Sequence, residues 1–400
     1  MRVCLVLEGC YPYVHGGVSS WVQQHILATK DIEYTLCTIY PNKEKRGKFV
    51  YDIPENVVEI KEYFMDDFDI NNSGEQKYTP SADFIRETKN IICANEVNWD
   101  YIFDEIASKK FDLNSFFKSE EYLKLVTDIS ENYLTSVGFS NIFFTLRSIL
   151  TPVFYLLQVD IPKCDLYHSI VTGYGGLVGA FASHIYNKPF VISEHGIYPR
   201  EREEELLQAS WVLDAFRKTW IDFFYTISKC CYKYAHVVTS LYGHARELQI
   251  EIGCEASKCK VIPNGIDYEK YSDIKEKEEN GFIDIGAIIR FSPIKDIKTL
   301  LYAFNELKTK FQGARLHILG GTNDEDYKEE CLNLIDSLKI SDVFIRGQVN
   351  VLETLCEFDF TVLTSISEGQ PLVVLESFAA RRPVISTNVG CCEEMILRNI

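Results

Sequence analysis

The segment SEGQPLVVLESFAARRPV, residues 367–384, sets two carboxylates, Glu368 and Glu376, eight positions apart in a stretch otherwise built for burial. The run before it, DFTVLTS (359–365), reads as a strand. The loop ISEGQ turns at Gly369, and Pro371 suits the first position of the helix that follows. The N–H groups near Leu372 and Val373 then carry the partial positive charge of a helix N-terminus, which is an anion site. Glu368 stands at the mouth of that site and Glu376 about a turn and a half inside the helix. A carboxylate accepts two hydroxyl hydrogen bonds side by side, which suits the vicinal diols of sugars. Hydroxyls, phosphate, hydroxyls is the layout of a nucleotide sugar.

A diphosphate needs cations. GAIIRFSPIKDIKTLLYAF (286–304) supplies Arg290 at a strand's carboxyl end and Lys295 five residues on, before a helix. Near the N-terminus, YPYVHGGVSSW (11–21) follows the first strand. Gly16 and Gly17 let the backbone approach a ligand closely, and Ser19 can cap the next helix. SEHGIYPRERE (193–203) brings Glu194, His195 and Arg200 to another strand end.

Two patterns point elsewhere. HSIVTGYGGLVGA (168–180) places Gly173, Gly175 and Gly179 between a strand and a helix, with Glu194 beyond, and imitates a dinucleotide fingerprint. Its spacing is GxGxxxG and it is not the first βα turn, so an NAD-dependent oxidoreductase is the weaker alternative. DFD (67–69) and DED (324–326) imitate a metal-binding DxD. In a chain with 58 acidic residues such triplets arise by chance, and no metal is assigned.

Strands and helices alternate through most of the chain, which argues for α/β architecture with parallel sheets. Strands are expected at 2–8, 34–40, 165–171, 189–193 and 236–240, with helices at 16–30, 177–186 and 201–233. Residues 53 to about 115 read as an acid-rich, irregular insertion, with 65–83 on the surface. The charged segment DIKEKEEN (273–280) reads as a linker, giving domains 1–279 and 280–400. The second domain has expected strands at 282–289, 314–320, 342–347, 359–365 and 383–387, and looks short at its C-terminus. Two Rossmann-like lobes in tandem are expected to hold a cleft between the carboxyl ends of their sheets.

The net charge of −17 repels a nucleic-acid backbone, so no nucleic-acid partner is expected. MRVCLVLEGC is too brief for a signal peptide. IFFTLRSILTPVFYLL (142–157) carries Arg147 and Pro152 and reads as a buried or amphipathic helix. Thirteen cysteines without a CxxC read as reduced thiols serving as small apolar residues in a cytoplasmic protein.

GAIIRFSPIKDIKTL, VIPNGID (261–267) and SISEGQPLVVLESFAARRPVISTNVG (365–390) resemble the retaining GT-B glycosyltransferases of family 4. GGVSSWV, SEHGIYPRERE and NDED (323–326) narrow the resemblance to the PelF-type transferases of Pel-polysaccharide synthesis. The resemblance spans both lobes and implies a GT-B fold with an interlobe cleft. It implies transfer of a hexose from a UDP-sugar to a growing extracellular polysaccharide, with retention of configuration and no metal or other cofactor. Arg290 and Lys295 would hold the diphosphate, Glu376 the ribose, and Glu368 the transferred sugar's hydroxyls. His195 and the Gly16-Gly17 loop would border the reacting sugar and the acceptor. Membrane-embedded synthase subunits would be the partners, recruiting the protein to the inner face of the membrane. Arg381 and Asn388 stand where the family usually has glycine and aspartate. A non-catalytic scaffold of the same shape is a further alternative, but it would need none of the four charges.

Overall fold

The central strand explains its own sequence. In VCLVL (3–7), Val3, Leu5 and Leu7 pack on one face with Val22 and Ile26 of the helix Gly17–Ala28, while Cys4 and Val6 join the core on the other. A strand covered on both sides needs an unbroken apolar run, as parallel sheets do. The computed structural model describes residues 1–68, 78–322 and 324–397. It divides into two compact units, Met1–Val261 and Ile262–Ile400.

The first unit is built on a seven-stranded sheet: β1 (Arg2–Glu8), β2 (Glu33–Tyr40), β3 (Val57–Phe64), β4 (Leu166–Ser169), β5 (Phe190–Ser193), β6 (Val237–Ser240) and β7 (Cys259–Val261). The second has five: β8 (Ile283–Ile288), β9 (Ala314–Leu319), β10 (Val343–Gly347), β11 (Phe360–Leu363) and β12 (Val384–Ser386). The orders are β3-β2-β1-β4-β5-β6-β7 and β10-β9-β8-β11-β12, and every pairing is parallel. Both are Rossmann-like. In each sheet the order reverses once, between β1 and β4 and between β8 and β11. The crevice outside the carboxyl ends of strands at such a switch is where open α/β sheets bind ligands.

Four expectations need correcting. Residues 53–115 are largely regular: β3 is an edge strand whose charged residues keep one side in water, and the helices Ala82–Ile92 and Trp99–Ala107 follow. Asp83, Asp100 and Asp104 face outward while Phe84, Ile91, Trp99, Ile102 and Phe103 are buried together with Glu87, and Ser81 and Asn98 each cap a first turn. Most of the acidity belonged to the outer faces, not to the whole stretch. The helix expected over 201–233 is two helices, Tyr198–Gln208 and Asp214–Tyr234, because Ala209 and Leu213 take extended conformations between them. Ser19 is buried and does not cap the helix Gly17–Ala28, whose N-cap is Gly16. The segment 273–280 is tied to the second unit, since Lys277 pairs with Asp284 and Asp359. The division falls after Val261 rather than after 279.

The helix Phe139–Leu156 is long and apolar enough to cross a membrane by length and composition. Its buried residues, among them Leu146, Leu150 and Phe154, belong to the first unit's core. Of the other segments singled out, 69–77, which includes Asp69, and Asn323 lie outside the described residues.

Candidate functional site

In the second unit the loops leaving β8 and β11 are stitched together at the switch. Ile366 N–H donates to the Ile294 carbonyl (2.8 Å), and Thr364 Oγ1 donates to the Lys295 carbonyl (3.1 Å). Pro293–Lys295 forms a tight turn, and Asp296 then caps the helix Ile297–Lys310 by accepting from Thr299 N–H. This fixes Lys295 beside the second loop. Its Nζ donates to Glu368 Oε1, and Ser365 Oγ donates to the same oxygen (2.5 Å). Residues expected to grip different parts of a ligand therefore grip each other. Arg290, two residues past β8, is exposed and, among the described residues, has no hydrogen-bond or ion-pair partner for its guanidinium.

Pro371 is the N-cap of the helix Leu372–Ala379, one place earlier than expected. Its ψ of 114° is not helical, while its carbonyl accepts from Val374 N–H (3.1 Å). No side chain caps this end. Among the described residues, the Leu372 and Val373 N–H groups have no acceptor, which leaves them for an anion. Glu376, a turn further on, accepts from Tyr271 Oη (3.0 Å). Burial raises the Glu376 pKa, and the Tyr271 bond opposes that shift.

Sequence reasoning missed three residues of this site. Tyr271 lies on the short helix Tyr268–Ser272, with no local pattern to announce it. Ser365 was visible in the quoted motif but had no assigned role. Gly390 has φ 55°, and a Cβ there would come within 2.3 Å of the Glu368 and Gly369 carbonyl oxygens. Only glycine lets the chain pass so close beneath the loop. Cys391 N–H then donates to the Gly369 carbonyl (3.0 Å). The signal available was the family-like STNVG run that ends on this glycine.

In the first unit the expected residues separate into two kinds. Glu194 is a buried anchor that accepts from Thr172 Oγ1 (2.7 Å), Tyr232 Oη (2.7 Å) and Gln249 Nε2 (2.9 Å). His195, next in sequence, is half-buried, and its ring meets the Trp21 ring edge-on at 4.6 Å. Among the described residues its Nε2 has no partner, and burial lowers its pKa to about 4, so the imidazole is neutral near pH 7. Cβ atoms added at Gly16 or Gly17 would meet nothing within 4 Å, so these glycines border open space rather than packed side chains. Arg200 is exposed.

The dinucleotide-like run has another use. Glu8, at the end of β1, accepts from Gly175 N–H (2.8 Å) and from Tyr198 Oη (2.9 Å). The protein's own carboxylate thus fills the N-terminus of the helix Tyr174–Tyr186, where a pyrophosphate would have to sit. A Cβ at Gly173 would strike the Tyr198 ring and one at Gly179 the Phe190 ring, at 2.2 and 2.4 Å. Close packing accounts for these glycines. In DED, Asp324 caps the helix Glu325–Leu338 by accepting from Tyr327 N–H (2.9 Å).

Comparison with known proteins agrees with this division. Residues 1–257 match a family described as Domain of unknown function (DUF3492), and residues 282–399 match Glycosyl transferases group 1. An uncharacterized glycosyltransferase of Methanocaldococcus jannaschii is 27% identical over 174 residues, 40% of this chain and 41% of that protein's length. The UDP-Gal:alpha-D-GlcNAc-diphosphoundecaprenol alpha-1,3-galactosyltransferase of Escherichia coli is 24% identical over 330 residues, 72% of this chain and 74% of that one. Among solved structures, HepE of Anabaena in complex with UDP aligns with 98% of this chain and 82% of that chain, with a TM-score of 0.57 at 15% identity. That likeness is one of fold, GT-B. The chain belongs to the DUF3492 family, and its second unit matches the group 1 glycosyltransferases.

Proposed function

We propose that the protein transfers a hexose unit from a UDP-sugar to a growing extracellular polysaccharide, with retention of configuration and without a metal. We further propose that it is a PelF-type transferase working in the cytoplasm beside membrane-embedded synthase subunits. One observation carries the donor assignment. At the β8/β11 switch two loops and the helix Leu372–Ala379 supply Arg290, Lys295, two helix-terminal N–H groups free among the described residues, and two carboxylates. The galactosyltransferase of E. coli, whose name specifies UDP-Gal, and HepE, solved with UDP, support the choice of a UDP-sugar.

Breaking the anomeric C–O bond builds negative charge on the departing diphosphate. The Leu372 and Val373 N–H groups meet that charge as fixed donors, which is worth most where charge develops, and Arg290 and Lys295 add cationic side chains. Lys295 must turn from Glu368 towards the phosphate. Glu368, so released, accepts hydrogen bonds from the sugar's hydroxyls. Tyr271 holds Oε1 of Glu376 and leaves Oε2 for the ribose. The acceptor is assigned to the first unit, at the edge carrying His195 and the Gly16-Gly17 loop. The test is turnover of UDP-glucose, UDP-galactose and their N-acetyl forms with and without EDTA. Product formation that survives chelation supports the reading, and an absolute need for Mn²⁺ or Mg²⁺ refutes its metal-free part.

A further inference from the structure

The helix Tyr198–Gln208 grows directly out of the loop that carries His195, and its first turn includes Glu201. That carboxylate leans back over the loop: a Cβ built on Gly196 would lie 1.8 Å from Glu201 Oε1. Gly196 is what lets the carboxylate lie so close to the loop, one residue from His195. Four other glutamates of this region have donors, while the exposed Glu204, like Glu201, has none among the described residues. Glu8 and Glu194 are bonded as described, Glu203 accepts from Tyr225 Oη (2.8 Å), and Glu205 accepts from Arg202 (2.8 Å). Among the described residues, Glu201 has no hydrogen-bond or ion-pair partner, and the neighbouring His195 Nε2 has none either. Trp21, from the helix Gly17–Ala28, holds the imidazole edge-on. Three elements thus meet at one loop, where Glu201 leans on Gly196 and the ring of the adjacent His195 rests on Trp21, with both polar groups unpaired among the described residues.

That combination suits a saccharide, whose hydroxyls donate to a carboxylate and whose C–H face packs on an aromatic ring. We propose that Glu201 binds a non-reacting hydroxyl of the acceptor sugar, making it an acceptor-positioning residue. The inference rests on the transfer reading above and adds to it the acceptor side. No proton changes hands at Glu201; the ionised carboxylate orients the sugar so that another hydroxyl can attack. The group is open to solvent on one side, yet desolvation by its surroundings pushes its pKa up to about 7. The charged and titratable groups facing it are Arg202, which opposes that rise, and Glu194, Glu205 and Glu204, which add to it. His195 stays neutral through the same range. Acceptor affinity should therefore fall with acid, by up to about tenfold from pH 8 to pH 6, as the carboxylate protonates.

The experiment titrates the intact protein with chitotetraose, maltotetraose, cellotetraose and a tetramer of N-acetylgalactosamine at pH 8 and pH 6, and separately with UDP. The wild type should bind at least one tetramer and lose affinity on acidification. E201Q should bind it about tenfold more weakly at pH 8, show no pH dependence, and bind UDP as the wild type does. G196A, whose new methyl group displaces Glu201, should behave like E201Q and checks that the effect is positional. The inference is overturned if E201Q keeps the wild-type affinity and pH curve, if UDP binding falls equally, or if no tetramer binds. Loss of UDP and UDP-sugar binding by the wild type would instead fail the transfer reading itself, and the inference would fall with it.

Discussion

Replacing Lys295 by alanine and Glu368 by glutamine, singly and together, tests the donor site through the contact they make. Lys295 Nζ rests on Glu368, and their side chains are 21% and 12% exposed. A diphosphate entering here must take the ammonium from a carboxylate. A hydrogen bond from an ammonium to phosphate contributes about 1.5–3 kcal/mol, so Lys295→Ala should weaken UDP by about ten- to a hundredfold. It also leaves Glu368 as an unpaired negative charge beside the ligand. Glu368→Gln removes the competitor instead. An ion pair still touched by solvent stabilises by about 0.2–1 kcal/mol, so UDP should bind this variant as tightly as the wild type, or up to about fivefold tighter. Turnover of the UDP-sugar should nevertheless fall, since the sugar loses its carboxylate. In the double variant the repulsion is gone, and UDP should bind better than to Lys295→Ala alone. Contacting residues couple by about 0.5–3 kcal/mol in such cycles. The assay is calorimetry with UDP at fixed ionic strength. Strictly additive effects, or a Glu368→Gln variant that loses UDP as badly as Lys295→Ala, would refute the exchange of partners.

Three further outcomes follow from the geometry. Tyr271→Phe removes one hydrogen bond to Glu376 and should weaken UDP and UDP-sugar by the same factor, about two- to tenfold; unequal losses in the two titrations would place Glu376 away from the ribose. Gly390→Ala forces a Cβ against the Glu368 and Gly369 carbonyls at a left-handed φ, so it should lower the melting temperature and abolish UDP binding. A variant that binds UDP normally would show that the loop does not need this support. The His168 imidazole, buried and bonded to Ser193 Oγ, has its pKa lowered to about 3, first by burial and then by His25 and His195. The unfolded chain binds a proton below about pH 6.5 and the folded one does not, so stability is full above that pH and is lost on acidification, by about 2 kcal/mol at pH 5. Denaturant melts of His168→Gln should show a smaller loss between pH 7.5 and pH 5, and an unchanged loss would place the acid sensitivity elsewhere.

Much of the candidate site was legible because its residues lie near strand ends, where short motifs report local structure. Glu368, Glu376 and the N-terminus of the helix between them could be read from one segment. Their partners could not. Lys295 and Glu368 are 73 positions apart and Tyr271 and Glu376 are 105 apart, and only the fold brings them together. The apolar run of β1 announced a doubly covered strand, whereas the edge strand β3 hid behind its charges. Gly173, Gly175 and Gly179 misled in a useful way. A glycine that admits a phosphate and one that admits a neighbouring ring look alike in sequence, and Glu8, 167 residues from Gly175, decides between them.

The measurement that bears most directly on the donor assignment is a calorimetric panel of UDP, GDP, ADP and NAD against the wild-type protein and Arg290→Ala. Arg290 is a cation of the site that, among the described residues, has no partner, so its loss tests diphosphate binding without disturbing an existing pair. The account predicts saturable binding of UDP in preference to the other three, unchanged by EDTA and weakened about tenfold or more in Arg290→Ala. Binding of NAD but not UDP, or UDP affinity indifferent to Arg290, would contradict it.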